Sequence, residues 1–248
     1  MKKIMFLTTI LAIMLFQASC NKKNDTNDPG SVQEGVVKGI VLDTKGQPMK
    51  DVEVVIDNTL VWNSNLVTKT DANGRYSVKL GISTWKATAN HYVDFDGKRY
   101  RIPLHPDDAS GFTQNGAIRN FQWKLTGKQP GTDLDYGGFF NVEKEVGNYN
   151  LMDIHNIEFT LTPVGKLIDG SDGQVIKMKP GAPGTDNANK LTDIPLGKYR
   201  ITASYPGKTI LVRNYRDQSA QFASSTTISF DPMSTWGPNS GAIEFSSN

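Results

Sequence analysis

Val52-Glu53-Val54-Val55-Ile56-Asp57, Arg75-Tyr76-Ser77-Val78-Lys79-Leu80 and Trp85-Lys86-Ala87-Thr88-Ala89 decide the fold. In the first, Val52, Val54 and Ile56 alternate with Glu53, Val55 and Asp57. In the second, Tyr76, Val78 and Leu80 alternate with Ser77 and Lys79. In the third, Trp85, Ala87 and Ala89 alternate with Lys86 and Thr88. Residues two apart share one face of a strand, so each segment offers one face to a core and one to water. Between strands sit Asp43-Thr44-Lys45-Gly46 and Asp71-Ala72-Asn73-Gly74, where Asp or Asn bonds the backbone and Gly supplies a positive φ. No stretch from Gly35 onward sustains a helical period, so the body reads as all-β.

Taken in order, Gly39-Ile40-Val41-Leu42-Asp43-Thr44-Lys45-Gly46-Gln47-Pro48, Val52-Glu53-Val54 and Thr70-Asp71-Ala72-Asn73-Gly74-Arg75-Tyr76 resemble the carboxypeptidase regulatory-like, or transthyretin-like, β-sandwich. The resemblance covers residues 35–127. It implies the sandwich fold and says little about function, because such modules serve as accessory domains, receptor extensions and adhesive units. The stretch His91 to Asp108 departs from the compact pattern and reads as an insertion-like, irregular segment.

Gly127-Lys128-Gln129-Pro130-Gly131-Thr132 reads as a linker, after which Ile157, Phe159 and Leu161 alternate with Glu158, Thr160 and Thr162. A second β-sandwich, transthyretin-like or immunoglobulin-like, is therefore expected over 133–248. Its Leu196-Gly197-Lys198-Tyr199-Arg200-Ile201-Thr202-Ala203 echoes Leu80-Gly81 followed by Trp85-Lys86-Ala87-Thr88-Ala89. The echo is either a weak internal repeat or the chance likeness of two amphipathic strands.

Ahead of both halves, Lys2 and Lys3 open an apolar run of 13 residues, Ile4 to Phe16, shorter than the roughly 20 a spanning helix needs. The run ends in Gln17-Ala18-Ser19-Cys20, which resembles a lipobox with Gln17 where Leu is usual. We expect residues 1–19 to be an export signal and Cys20, the one cysteine in the chain, to carry the lipid. Residues 20–34 then form a polar tether, and the membrane is a partner through acyl chains rather than through a spanning helix. This places the protein at the outer membrane, on its periplasmic or its cell-surface side.

The 248 residues hold 27 Lys+Arg and 25 Asp+Glu. Lys2 and Lys3 leave with the leader, so the exported chain is formally neutral, which argues against nucleic acid as a partner. A single cysteine excludes an internal disulfide, a Cys-rich zinc site and a CxxC centre. The sequence contains no Gly-x-Ser-x-Gly elbow, His-Glu-x-x-His motif, phosphate loop or dinucleotide fingerprint. His155-Asn156-Ile157-Glu158 matches a fragment of a metallocarboxypeptidase ligand set, but no histidine follows it, and on a strand residues three apart face opposite ways. Asp169-Gly170-Ser171-Asp172-Gly173 resembles a calcium loop in composition only and reads as a hairpin turn. We expect no metal, no cofactor and no catalysis. Distant carboxylate pairs leave no local signature, which keeps a carbohydrate-active hydrolase as an alternative.

The candidate ligand site is the cluster Tyr92, Phe95, Tyr100, Arg101, His105, Asp107 and Asp108, since aromatic rings cover sugar faces and charged groups take hydroxyls. The competing reading puts Trp85, Tyr100 and Tyr92 in the core, with Asp94-Phe95-Asp96-Gly97 turning a hairpin. Trp62, Trp123 and Trp236 face the same choice, and Trp123 shares a face with Phe121 and Leu125. The expectation is a non-catalytic lipoprotein that binds or scaffolds, by glycan capture or as part of an outer-membrane complex. A fimbrial or adhesive subunit that polymerises by strand exchange is the alternative.

Overall fold

The structure, a computed structural model, describes residues 30–150, 152–234 and 237–247. The leader, Cys20 and Trp236 lie outside the described residues.

The first half runs β1 (Val36–Leu42), β2 (Glu53–Asn58), β3 (Leu66–Lys69), β4 (Arg75–Lys79), β5 (Thr84–Phe95) and β6 (Lys98–Pro103). Four two-residue strands follow: β7 (His105–Pro106), β8 (Phe112–Thr113), β9 (Ala117–Ile118) and β10 (Phe121–Gln122). One sheet has the order β4-β1-β10-β7, with β9 also on β1; the other has β3-β2-β5-β6, with β8 on β5. Their inner faces meet through Val37, Val41, Val54, Ile56, Trp85, Tyr100, Phe121 and Trp123, all buried, as the alternation requires. Gly39 lets the connection between β9 and β10 pass close to β1 within the first sheet: a Cβ there would lie 1.8 Å from the Arg119 carbonyl oxygen, which also accepts the Tyr76 hydroxyl at 2.7 Å.

The second half runs β11 (Gly138–Lys144), β12 (Glu158–Pro163), β13 (Ile176–Met178), β14 (Lys190–Ile194), β15 (Lys198–Ser204), β16 (Ile210–Asn214), β17 (Thr226–Ser229) and β18 (Ser240–Ser247). Its sheets are β14-β11-β18-β16 and β13-β12-β15-β17. Phe140, Phe159, Leu161, Tyr199, Phe230 and Phe245 fill the core, with Phe140 and Phe230 stacked at 4.5 Å.

The two halves share a topology. In each, the first strand pairs antiparallel with the fourth and parallel with the last, and the second pairs antiparallel with the third and the fifth. The order of β6 and β7 is exchanged against that of β16 and β17, because β16, not β17, joins the first sheet. Leu80-Gly81 and Leu196-Gly197 both sit at the corner between the fourth and fifth strands, so the echo in the sequence falls on equivalent places. The molecule is a tandem of two all-β sandwiches.

The structure corrects the reading of His91 to Asp108 as irregular. Through Pro103 it is a regular hairpin, β5 paired with β6 from Asn90↔Pro103 to Phe95↔Lys98. Asp96 and Gly97 close it with φ of 48° and 75°, the left-handed pair that suits the twist of a two-residue turn. His155 also departs from expectation, lying in a one-turn 3-10 helix, Ile154–Asn156, ahead of β12.

Candidate functional site

The β5–β6 hairpin separates residues that the sequence groups. On β5 the odd residues Trp85, Ala87 and Ala89 point inward, so Tyr92 points out; after the turn Tyr100 and Ile102 point inward, so Arg101 points out. Tyr92 and Arg101 are direct cross-strand partners on the outer face. Tyr92 is 39% exposed, its hydroxyl 3.3 Å from Glu53 Oε1 and its ring under the Arg99 guanidinium at 5.5 Å.

Tyr100 is a correction: at 1% exposure it is core and offers no surface to a ligand. Burial pushes its hydroxyl up to about 12, so it stays protonated and donates to the Phe230 carbonyl at 2.5 Å. Half-buried Phe95 meets it edge-on at 6.3 Å. Around this pair the hairpin docks on the second sandwich. Asp96 accepts Ser229 Oγ at 2.7 Å and Lys198 Nζ at 3.1 Å, while Lys98 Nζ reaches Asp231 at 2.7 Å and the Phe230 carbonyl at 3.2 Å. A second contact joins the β1–β2 turn to the other domain, Thr44 Oγ1 donating to Asp169 at 2.7 Å.

His105, Asp107 and Asp108 stand apart from both groups. His105 Nδ1 shares a 3.0 Å hydrogen bond with the Tyr136 hydroxyl, and burial holds the ring below its ordinary range, favouring neutral imidazole. Asp107 accepts from the Asn120 backbone at 2.9 Å and its amide at 2.8 Å, and Asn120 in turn accepts the Ile40 amide. Asp108 accepts the Ser110 hydroxyl at 2.6 Å, which holds its carboxyl below the usual range, and bridges buried Arg119 at 3.1 Å. These carboxylates hold their own loop.

The seven candidates therefore occupy three places, and of them only Arg101 lines the groove on the outer face of the first sandwich. That groove, about 530 Å³, lies between the outer face of β2, β5 and β6 and the segment Gln129 to Tyr136. Glu53, Asp57, Lys86 and Asn90 line it with Arg101. The sequence marks these as the polar half of an alternating strand, which any solvated face also shows; only the course of the linker makes them one site.

The linker itself is tied down. Gly127 and Gly137 both donate backbone amides to Asp193, at 2.9 and 3.3 Å, Tyr136 donates to the Gly127 carbonyl at 2.8 Å, and Lys128 bridges Asp135 at 2.8 Å. Among the described residues no three of His, Cys, Asp and Glu are grouped to hold a metal, and no helix is long and apolar enough to cross a membrane. The Asp169 to Gly173 stretch is a turn, Gly170 donating to Leu167 and Leu167 to Ser171.

Tandem sandwiches of one topology, clamped by a hairpin and a tied linker, define a two-domain all-β chain. No family model and no curated protein matches it. Among solved structures it is similar to the Bacillus anthracis TIE protein, 15% identical over 87% of this chain, with a TM-score of 0.35; the alignment spans about a third, 34%, of that protein's length. It is also similar to the major pilin T-13 of Streptococcus pyogenes, at 11% identity, 88% of this chain, 97% of that one and TM-score 0.27. A DUF3823 family protein from Bacteroides ovatus aligns at 11% identity over 79% of this chain and 99% of that one, TM-score 0.25. These superpositions are loose, and the fold stands on the strand pairing above.

Proposed function

We propose that the protein is a non-catalytic, lipid-anchored arm of the bacterial envelope, which holds a glycan-binding groove and a second sandwich at fixed geometry for an outer-membrane complex. The observation that carries this reading is the clamp: Asp96, Lys98 and Tyr100 all engage the second domain, so the pair behaves as one body rather than two beads on a string. The groove of about 530 Å³ is within the range of small-ligand sites, and its acid, base and amide groups suit hydroxyls.

The shifted titratable groups have structural causes. Tyr76, Tyr100 and Tyr199 are raised by burial, and Asp96, Asp108 and Asp217 are lowered first of all by a serine hydroxyl. The terminal strands bear on the strand-exchange alternative: β1 and β18 are interior strands, so displacing either would open the middle of a sheet.

The test is palmitate labelling and fractionation of the wild type and Cys20→Ser, with retardation in glycan affinity gels. Labelled wild type in the membrane pellet, and unlabelled variant in the supernatant after a carbonate wash, is the expected result. An unlabelled wild type overturns the anchor. A groove variant, Lys86→Ala with Arg101→Ala, retarded as strongly as the wild type overturns the glycan assignment.

A further inference from the structure

Four large apolar side chains project together from one end of the first sandwich. Leu60, Val61 and Trp62 lie in the β2–β3 loop at 73%, 55% and 93% exposure, and Ile82 lies in the β4–β5 turn at 92%. The two loops are fastened to each other. Thr59 donates its backbone amide to the Thr84 carbonyl at 2.9 Å, and Asn58 Oδ1 accepts the Ser83 hydroxyl at 2.8 Å and the amides of Leu60 and Val61 at 3.0 and 3.1 Å. The tip is thus a built surface whose side chains are left exposed by the described residues. No residue from Asn58 to Asn65, and none from Leu80 to Trp85, is ionisable.

The same end receives the chain. Gly35 accepts the Leu80 amide at 2.8 Å and donates to Gln114 at 2.7 Å, and Val36 pairs with Lys79, so the strand entering the fold begins beside the Ile82 turn. The opposite end carries the second sandwich, because β5 runs from Thr84 at the tip to Phe95 at the clamp, about 40 Å at roughly 3.3 Å per residue. Between Cys20 and Gly35 lie few enough residues that even a fully extended chain spans at most about 50 Å. A lipid on Cys20 would therefore join the fold at this end, with the clamp end farther from the attachment point by the length of β5.

We propose that Leu60, Val61, Trp62 and Ile82 insert into the interfacial layer of the lipid bilayer as a second, non-covalent membrane contact. The proposal rests on the anchored-arm reading and adds orientation to it. A tryptophan with an apolar ring and an N–H suits the headgroup level, and an uncharged loop surface enters it without desolvating an ion. One such contact is weak; joined to an acyl anchor it acts at high effective concentration and stands the arm upright.

The test uses the chain from Asn21 onward with Cys20 absent, which contains every described residue, and vesicles of phosphatidylethanolamine with phosphatidylglycerol, with and without acyl-chain bromine. The expected result is a blue shift and bromine quenching of tryptophan emission that Trp62→Phe removes. The partition coefficient should fall at least tenfold in Leu60→Ser/Trp62→Ser/Ile82→Ser, with the melting temperature unchanged because the side chains are exposed. No quenching, or equal partition of the triple variant, overturns the proposal, including the case in which the tip binds a protein instead. The two readings fail separately. Palmitate label on Cys20 without quenching keeps the anchor and removes the tip, and quenching without label does the reverse.

Discussion

The hydroxyl of Tyr100 in the first sandwich donates to the backbone carbonyl of Phe230 in the second, 2.5 Å away and 130 positions along the sequence. A core side chain of one domain thus completes the hydrogen bonding of the other. Tyr100→Phe should cost about 1–2 kcal/mol, leaving a buried carbonyl with only Lys98 as partner. Tyr100→Ala should cost about 3–5 kcal/mol, while Tyr92→Ala, on the exposed outer face, should stay within about 1 kcal/mol. Urea denaturation of the three variants checks this. Equal losses for Tyr92→Ala and Tyr100→Ala would contradict the assigned faces.

Acid should loosen the clamp. The Ser229 hydroxyl, and then Lys198, hold the Asp96 carboxyl below its ordinary range. A carboxylate whose folded value is depressed stabilises above its unfolded value, near 4, and loses that contribution as pH falls through the folded value. Small-angle scattering from pH 7 down to pH 3 should show the two domains separating in acid. Asp96→Asn should remove part of that change, being already looser at neutral pH. Superimposable pH profiles for variant and wild type would rule Asp96 out.

Arg213 and Glu244 form a pair on neighbouring strands, Nε to Oε2 at 2.6 Å, with the glutamate 3% exposed and the guanidinium stacked on Phe222 at 4.5 Å. Arg213→Met strands a buried carboxylate and should cost about 3–5 kcal/mol. Thermal melts measure it: the double variant Arg213→Met/Glu244→Gln should recover part of the loss, and a deficit that persists in the double variant would point to packing instead.

Asp193 ties both ends of the linker through Gly127 and Gly137 from a backbone at φ 57°. Asp193→Ala should make residues 127–136 the first site of proteolysis, at protease levels the wild type resists. Unchanged cleavage kinetics would show that the hairpin-like turn, with Tyr136 bonded to Gly127, is enough alone.

The strands at 52–57, 75–80, 85–89 and 157–161 are legible because local alternation and burial agree there. The candidate site is less so. Tyr92 and Tyr100 are eight residues apart and would share a face of one strand, but a two-residue turn at Asp96-Gly97 reverses the chain and sends them to opposite faces. Locating that turn is enough to assign both. No local pattern could show that Asp96 would meet Lys198 and Ser229, because partners more than 100 residues apart are chosen by the docking of finished domains. Nor does any pattern distinguish the polar wall of the groove at Glu53 and Lys86 from ordinary solvated strand.

In both sandwiches the strand that closes the first sheet is the last to arrive, and in the second it fills the middle, β18 between β11 and β16. Synthesis delivers the amino end first. Until Ser240–Ser247 emerges, β11 is paired on one edge only, with β14, and β16 lacks its strand partner. The second half therefore cannot complete its first sheet ahead of Ser240–Ser247. A chain cut short before Ser240 would carry a complete first sandwich and leave one edge of β11 and the β18-facing edge of β16 unpaired, open edges of the kind that template pairing with another chain.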